Sequence, residues 1–234
     1  ANRRERRGGA ESAEDLGLIC PQHGLPRRLR RFIFIPSAMT DFSTPPMPPS
    51  NATTRRAADS LETERLRFRR FQVSDFPIYE QWCARMEIMR YLGGKTFDRI
   101  QAWRHMAYIT GHWAFLGYGY YAVEEKESGN LIGRVGYTNH PGWPAFELGW
   151  TIIPEYQGRG YATEAARMLL DYAFRELDQP RVTSLIHPDN KPSRRVAEKL
   201  GQRVEGETEV LTMPVLVYAA RRMPTTGTPE VSRA

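Results

Sequence analysis

The chain has 234 residues, 41% of them hydrophobic and 26% charged, with a formal net charge of +6. That is enough chain for one sizeable domain or two small ones with a buried core, and no apolar run approaches the roughly 20 residues that a membrane-spanning helix needs. Two cysteines, Cys20 and Cys83, and five histidines show no metal-ligand spacing, so no metal is expected, and both thiols read as free in a reducing, cytoplasmic setting.

The charge is unevenly spread. Residues 1–59 hold ten arginines and six acidic residues, giving +4, and the remaining 23 basic and 21 acidic residues give +2. Arg3, Arg4, Arg6 and Arg7, then Arg27, Arg28, Arg30 and Arg31, form two basic clusters, followed by Pro36, Pro45, Pro46, Pro48 and Pro49. Such composition favours extended, unpacked chain. Residues 1–59 therefore read as a disordered extension, 60–222 as the folded domain and 223–234 as a flexible tail. A nucleic-acid or ribosome partner would be held only through the extension, by counterion release. Glu5, Glu11, Glu14 and Asp15 argue against a transit peptide, and Met39 is an alternative start.

In the folded segment, Leu61, Leu66 and Phe68 alternate with charged residues and predict a first strand over 61–69. Ser74-Asp75 is a good N-cap for a helix from about Phe76 to Tyr91, stopped by Gly93-Gly94. A second helix follows over roughly Asp98 to Leu116, with Ile100, Trp103, Tyr108, Ile109 and Trp113 as its apolar members. Tyr118–Val123 and Leu131–Tyr137 flank the turn sequence Glu127-Ser128-Gly129-Asn130 and predict an antiparallel hairpin. After the loop Thr138–Pro144 comes a strand over Leu148–Ile153, then Gln157-Gly158-Arg159-Gly160-Tyr161-Ala162, then a helix with Ala162, Ala165, Ala166, Leu169 and Ala173 on one face. Arg181–Ile186 reads as a strand, Ser193–Leu200 as a short helix, and Arg203–Glu209 with Pro214–Ala220 as a closing hairpin.

A glycine turn between strand and helix has a specific guest. Glycine lets backbone approach a bound group closely, and the opening amides of a helix lack intrahelical partners, so the site suits a phosphate or pyrophosphate. Gln157, Gly160 and Ala162 stand in the order Gln-x-x-Gly-x-Ala, which resembles the acetyl-coenzyme A signature of the GNAT acetyltransferase superfamily. Tyr156, the run Tyr161–Ala165, and Leu-x-Thr-x-Arg-Leu at 61–66 are similar to its RimJ/RimL-type branch. The resemblance covers about residues 61–222. It implies an α+β fold in which helices flank a mixed, mostly antiparallel central sheet, with acetyl-CoA as co-substrate.

The resemblance also implies roles. Backbone groups of Thr151, Ile152 and Ile153 would bind the pantetheine arm and aim an N–H at the thioester oxygen. Gln157, Gly158, Arg159, Gly160, Tyr161, Ala162 and Thr163 would cradle the pyrophosphate, with Arg159 adding charge. Asn190-Lys191-Pro192-Ser193 is similar to the family's Asn-x-x-Ser element, so Asn190 would bond the pantetheine chain. Ser193, read as a helix N-cap, would bond the cofactor or protonate the departing thiolate. Glu147, opposite in facing to Phe146 and Leu148 and part of a Glu-x-Gly motif, is the expected general base. Trp103, Trp113 and the loop 138–144 are expected to shape the acceptor entrance.

Where many family members carry a tyrosine acid there are Val196 and Ala197, and the frequent Leu-Gly-Phe reads Leu200-Gly201-Gln202. No cysteine lies in these motifs, which favours direct attack within a ternary complex. The expected activity is N-acetylation of a primary amine, on a protein N-terminus or a small molecule, by a monomer or homodimer. Two alternatives are a ribosome- or RNA-associated protein acting through its arginine tail and a non-catalytic acyl-CoA sensor.

Overall fold

The computed structural model describes residues 55–222. The expected extension over 1–54 and the tail from 223 lie outside the described residues. The extension was expected to stay unpacked as far as residue 59, but its last described part is anchored. Ala57 is buried and its N–H bonds the Gly117 carbonyl at 2.8 Å, while the Ala58 carbonyl accepts from the Tyr121 hydroxyl at 2.7 Å.

The elements in chain order are β1 (Ser60–Glu62), β2 (Leu66–Arg69), α1 (Phe76–Cys83), α2 (Met86–Met89), α3 (Arg99–Leu116), β3 (Tyr120–Glu125), β4 (Leu131–Thr138), β5 (Glu147–Ile152), α4 (Tyr161–Arg175), β6 (Arg181–Ile186), α5 (Lys191–Lys199), β7 (Arg203–Val210) and β8 (Met213–Arg221). They build one sheet in the order β1-β2-β3-β4-β5-β6-β8-β7, antiparallel except between β5 and β6. The expected mixed sheet with flanking helices is therefore present.

Two segments break where a single element was expected. The first strand is split because residues 63–65 turn to meet α4: Thr63 Oγ1 donates to Glu164 Oε1 at 2.6 Å, and Arg65 Nε donates to Glu164 Oε2 at 2.7 Å. The helix expected over 76–91 is split at Arg85, whose backbone is extended. Arg85 instead reaches Glu155, in the turn after β5, at 2.7 Å. Asp75 does not cap α1 with its side chain. Its carboxylate takes both terminal nitrogens of Arg69, at 2.7 and 2.8 Å, and the Gln72 N–H at 2.7 Å.

The centre of the sheet is covered on both faces, whereas the outer strands β1 and β7 are largely exposed. On one face α4 lays Ala165, Ala166, Leu169, Leu170 and Ala173 on Val135, Tyr137 and Leu148, the small residues letting the helix approach closely. Truncating Leu169, which is fully buried, would cost about 2–5 kcal/mol. On the other face Tyr79, Trp82, Ala102, Met106 and Ile109 of α1 and α3 pack over Ala122. The α3 stripe is thus Ala102, Met106, Ile109, His112 and Trp113; the expected members Ile100, Trp103 and Tyr108 are exposed.

Candidate active site

The site lies where β5 and β6 part. These parallel neighbours pair at one position, Glu147 opposite Thr183. Side chains then replace the ladder: Ser184 Oγ donates to the Leu148 carbonyl at 2.7 Å, and Leu185 N–H donates to Glu147 Oε1 at 3.3 Å. Beyond them a cleft of about 460 Å³ opens, lined by β5, the turn 156–163, the start of α5, and Glu87 to Leu92 after the α1–α2 break. A smaller cavity of about 70 Å³ adjoins it on the Glu147 side. Tyr91, Leu92, Trp150, Thr151, Asn190 and Ser193 line both.

At the α4 end the cleft is made of backbone. Gly160 caps the helix at φ +85°, in the left-handed region open to glycine. Among the described residues, no N–H from Gly158 to Thr163 makes a hydrogen bond, whereas Glu164 N–H already bonds the Gly160 carbonyl at 3.0 Å. These amides lie at the positive end of the helix dipole. Gln157 reaches back, its Nε2 donating to the Ile152 carbonyl at 2.7 Å, and so fixes the turn to β5.

The expected residues divide. Thr151, Ile152, Gln157, Gly158, Gly160, Tyr161, Ala162, Thr163, Asn190 and Ser193 all line the large cleft. Ile153 and Arg159 do not. The Ile153 N–H is spent on the Ile132 carbonyl at 2.9 Å. The Arg159 guanidinium lies over the Tyr156 ring at 5.1 Å and 3.9 Å from Glu125. Tyr161 contributes backbone, because its hydroxyl turns away to donate to Glu125.

Strand alternation corrects the rest of the expected pantetheine contact. Opposite residues in an antiparallel ladder alternate between bonded and non-bonded pairs. Since Ile153 bonds Ile132, Thr151 faces Arg134 on β4 in the same way. The groups turned toward the cleft are therefore those of Trp150 and Ile152.

At α5 the N-cap is Asn190, whose Oδ1 accepts the Ser193 N–H at 3.2 Å, so Ser193 is not the cap. The Ser193 hydroxyl and the Asn190 Nδ2 have no partner among the described residues and border both cavities. Arg195 and Lys199, one turn apart on α5, supply the positive charge at the large cleft that Arg159 does not.

Glu147 is 7% exposed and lines the small cavity. Burial raises its carboxyl to about 7, against the lowering effects of the Trp143 indole N–H at 2.7 Å, the Leu185 N–H and the Arg134 charge. The loop 138–144 thus contributes Trp143 as a partner of Glu147. Trp113 is core, donating to the Tyr120 carbonyl at 3.0 Å, and Trp103 packs edge-on against Phe76; neither lines either of these two cavities. Sequence reading missed Tyr91, Leu92, Trp150, Tyr120 and His187. The break at Arg85 that delivers the first two has no local glycine or proline to announce it.

Residues 65–203 match the family described as "Acetyltransferase (GNAT) domain". Among solved structures, an acetyltransferase from Agrobacterium tumefaciens str. C58 is 32% identical with a TM-score of 0.65, covering 71% of this chain and 96% of that one. Among curated proteins, the uncharacterized N-acetyltransferase YnaD of Bacillus subtilis (strain 168) is 31% identical over 146 residues, which is 62% of this chain and 84% of that protein. The structure titled RimL, a ribosomal L7/L12 alpha-N-protein acetyltransferase in complex with coenzyme A, shares the fold at 18% identity and a TM-score of 0.58, covering 69% of this chain and 97% of that one.

Proposed function

The chain belongs to the GNAT acetyltransferase family, and from that premise we propose that it transfers an acetyl group from acetyl-CoA to a primary amine, with Glu147 as general base. The reading rests above all on the partnerless amides from Gly158 to Thr163, at one end of a cleft whose other end adjoins a buried carboxylate. That is a fit for a long ligand with a pyrophosphate at one end and a reactive group at the other. Acetyl-CoA supplies the activated acetyl group.

The residues then divide the work. The amides of 158–163 hold the pyrophosphate, with Arg195 and Lys199 adding charge near the phosphates. The Asn190 Nδ2 and the Trp150 backbone hold the pantetheine arm, and the Trp150 N–H is the candidate donor to the thioester oxygen. Glu147 accepts a proton from the attacking nitrogen, and Ser193 donates one to the sulfur as the carbon–sulfur bond breaks and the carbon–nitrogen bond forms. An α-amine, with a pKa of about 8, is roughly a tenth neutral at pH 7, and a base with a carboxyl near 7 is matched to such an acceptor.

We place the chain in the RimJ/RimL-like branch, acting on a protein N-terminus or a small amine in the cytoplasm. Among the described residues no helix is long and apolar enough to cross a membrane. The test is calorimetric titration of the full chain with acetyl-CoA, followed by thiol release with a panel of an alanine-initiated peptide, a serine-initiated peptide, spermidine and an aminoglycoside. Binding followed by turnover on one acceptor class is expected. Absence of acetyl-CoA binding by folded protein would overturn the reading, and binding without turnover on any amine would favour an acyl-CoA sensor.

A further inference from the structure

Tyr120, the first residue of β3, is the feature the reading above does not use. Its hydroxyl lies against Gly149 on β5: a Cβ on that glycine would fall 2.1 Å from Tyr120 Oη and 3.1 Å from Cζ. Glycine inside a strand marks a close approach of something else, and here that something is a phenol oxygen. Gly149 is therefore the residue that makes room for the hydroxyl.

The ring is held in place. The Arg134 guanidinium lies over it at 4.7 Å from the centroid, an attraction between a cation and the ring face. The Tyr120 carbonyl takes the indole N–H of Trp113 at 3.0 Å. The hydroxyl itself bonds nothing among the described residues. A phenol this enclosed ordinarily finds a partner, yet this one borders the small cavity together with Glu147, Gly149 and Ser184. Burial, with the negative charge of Glu147 adding to it, raises the phenol well above its ordinary range, so it enters the cavity neutral.

Glu147 and Gly149 are two residues apart on β5, on the same face and about 7 Å apart along the strand. A group in the small cavity lies between the carboxylate at one position and the hydroxyl over the other. We propose that Tyr120 is a further catalytic residue: its oxygen accepts one N–H of the acceptor amine while Glu147 takes the other, which turns the nitrogen lone pair toward the cleft. The proposal rests on the acetyltransferase reading. As the nitrogen attacks, it gains positive charge, so the Tyr120 bond strengthens in the transition state and acts mainly on kcat. Tyr120 forms no bond to the acetyl group and gives up no proton.

The test compares the full wild-type chain with Tyr120→Phe and Glu147→Gln, on whichever amine of the panel turns over, with acetyl-CoA binding measured alongside. Tyr120→Phe should lower kcat/KM by about 10- to 100-fold, mostly in kcat, with acetyl-CoA affinity within about twofold of wild type and the acidic limb of the pH profile unmoved. Calorimetric titration with the same amine in the presence of CoA should show binding to Tyr120→Phe within about threefold of wild type, so that the loss sits in kcat, a split that a distorted amine site would not give. Gly149→Ala, which displaces the hydroxyl while keeping it, should reproduce the loss. Wild-type turnover that falls in Glu147→Gln but not in Tyr120→Phe overturns this inference and leaves the acetyltransferase reading standing. A wild type that neither acetylates nor binds any amine of the panel overturns both.

Discussion

The two halves of the site are built from different material. The half around β5, the glycine turn and α4 presents backbone: a run of amides, a glycine at φ +85° and the free edge of a strand that has left its neighbour. The other half presents side chains, Glu147, Trp143, Tyr120 and Arg134, brought together from β3, β4, β5 and the loop before β5. The backbone half is cheap to maintain, because its unpaired amides open onto a cleft that water can enter. The side-chain half costs stability, because it buries a carboxylate and a guanidinium with no ion pair between them.

The sharpest way to break this contrast is at Gly160. Gly160→Glu places a negative charge among the amides and should weaken acetyl-CoA binding by about 100-fold or more, read by calorimetry. Gly160→Ala imposes the same backbone strain without the charge and should change affinity by less than about threefold, its cost falling on folding instead. Equal losses in the two variants would mean that the turn geometry, not anion binding, explains the glycine.

A smaller effect separates the halves by pH. The Glu147 carboxyl is raised from 4.5 to about 7, so between those values the folded chain holds a proton that the unfolded chain has lost. Its contribution to stability is therefore greatest below about pH 4.5 and is lost as pH rises through 7. The swing is about 3 kcal/mol at most. Glu147→Gln has no such titration, so denaturant unfolding at pH 5 and pH 8 should show the wild type losing more stability than the variant over that interval. Parallel losses would place the cost elsewhere.

The smallest expected effect lies outside both halves, between α5 and β7. Gln202 is 2% exposed, and among the described residues neither polar atom of its side-chain amide has a partner. Gln202→Met keeps the shape and removes the orphaned polar atoms, so it should stabilise by about 1–2 kcal/mol. Thermal unfolding should show a rise of about 2–6 °C with acetyl-CoA binding unchanged.

The same contrast explains what could be read in advance. The backbone half is contiguous in sequence, and a glycine turn before a helix carries its chemistry wherever the chain goes; Gln157 to Thr163, Asn190 and Ser193 were all legible. The exceptions, Arg159 and Ile153, fail for local reasons: one side chain prefers a tyrosine ring, and one amide belongs to the β4 ladder. The side-chain half depends on register. Tyr120 reaches Gly149 only because β3 pairs with β4 and β4 with β5 at particular offsets, and no local pattern states those offsets. The helix break before Arg85 is invisible for the same reason: the Cys83 carbonyl takes the N–H of the distant Phe97 at 2.9 Å instead of one in the next helical turn.

The measurement that bears most directly on the account is the pH dependence of acetyl transfer by the wild type and by Glu147→Gln, followed by thiol release at saturating acetyl-CoA. The wild type should lose activity as pH falls through about 7, where Glu147 takes up its proton, and the variant should be slower by about 10²- to 10⁴-fold without that limb. A variant that matches the wild-type rate across the range would contradict Glu147 as the base, and with it the chemistry assigned to the side-chain half.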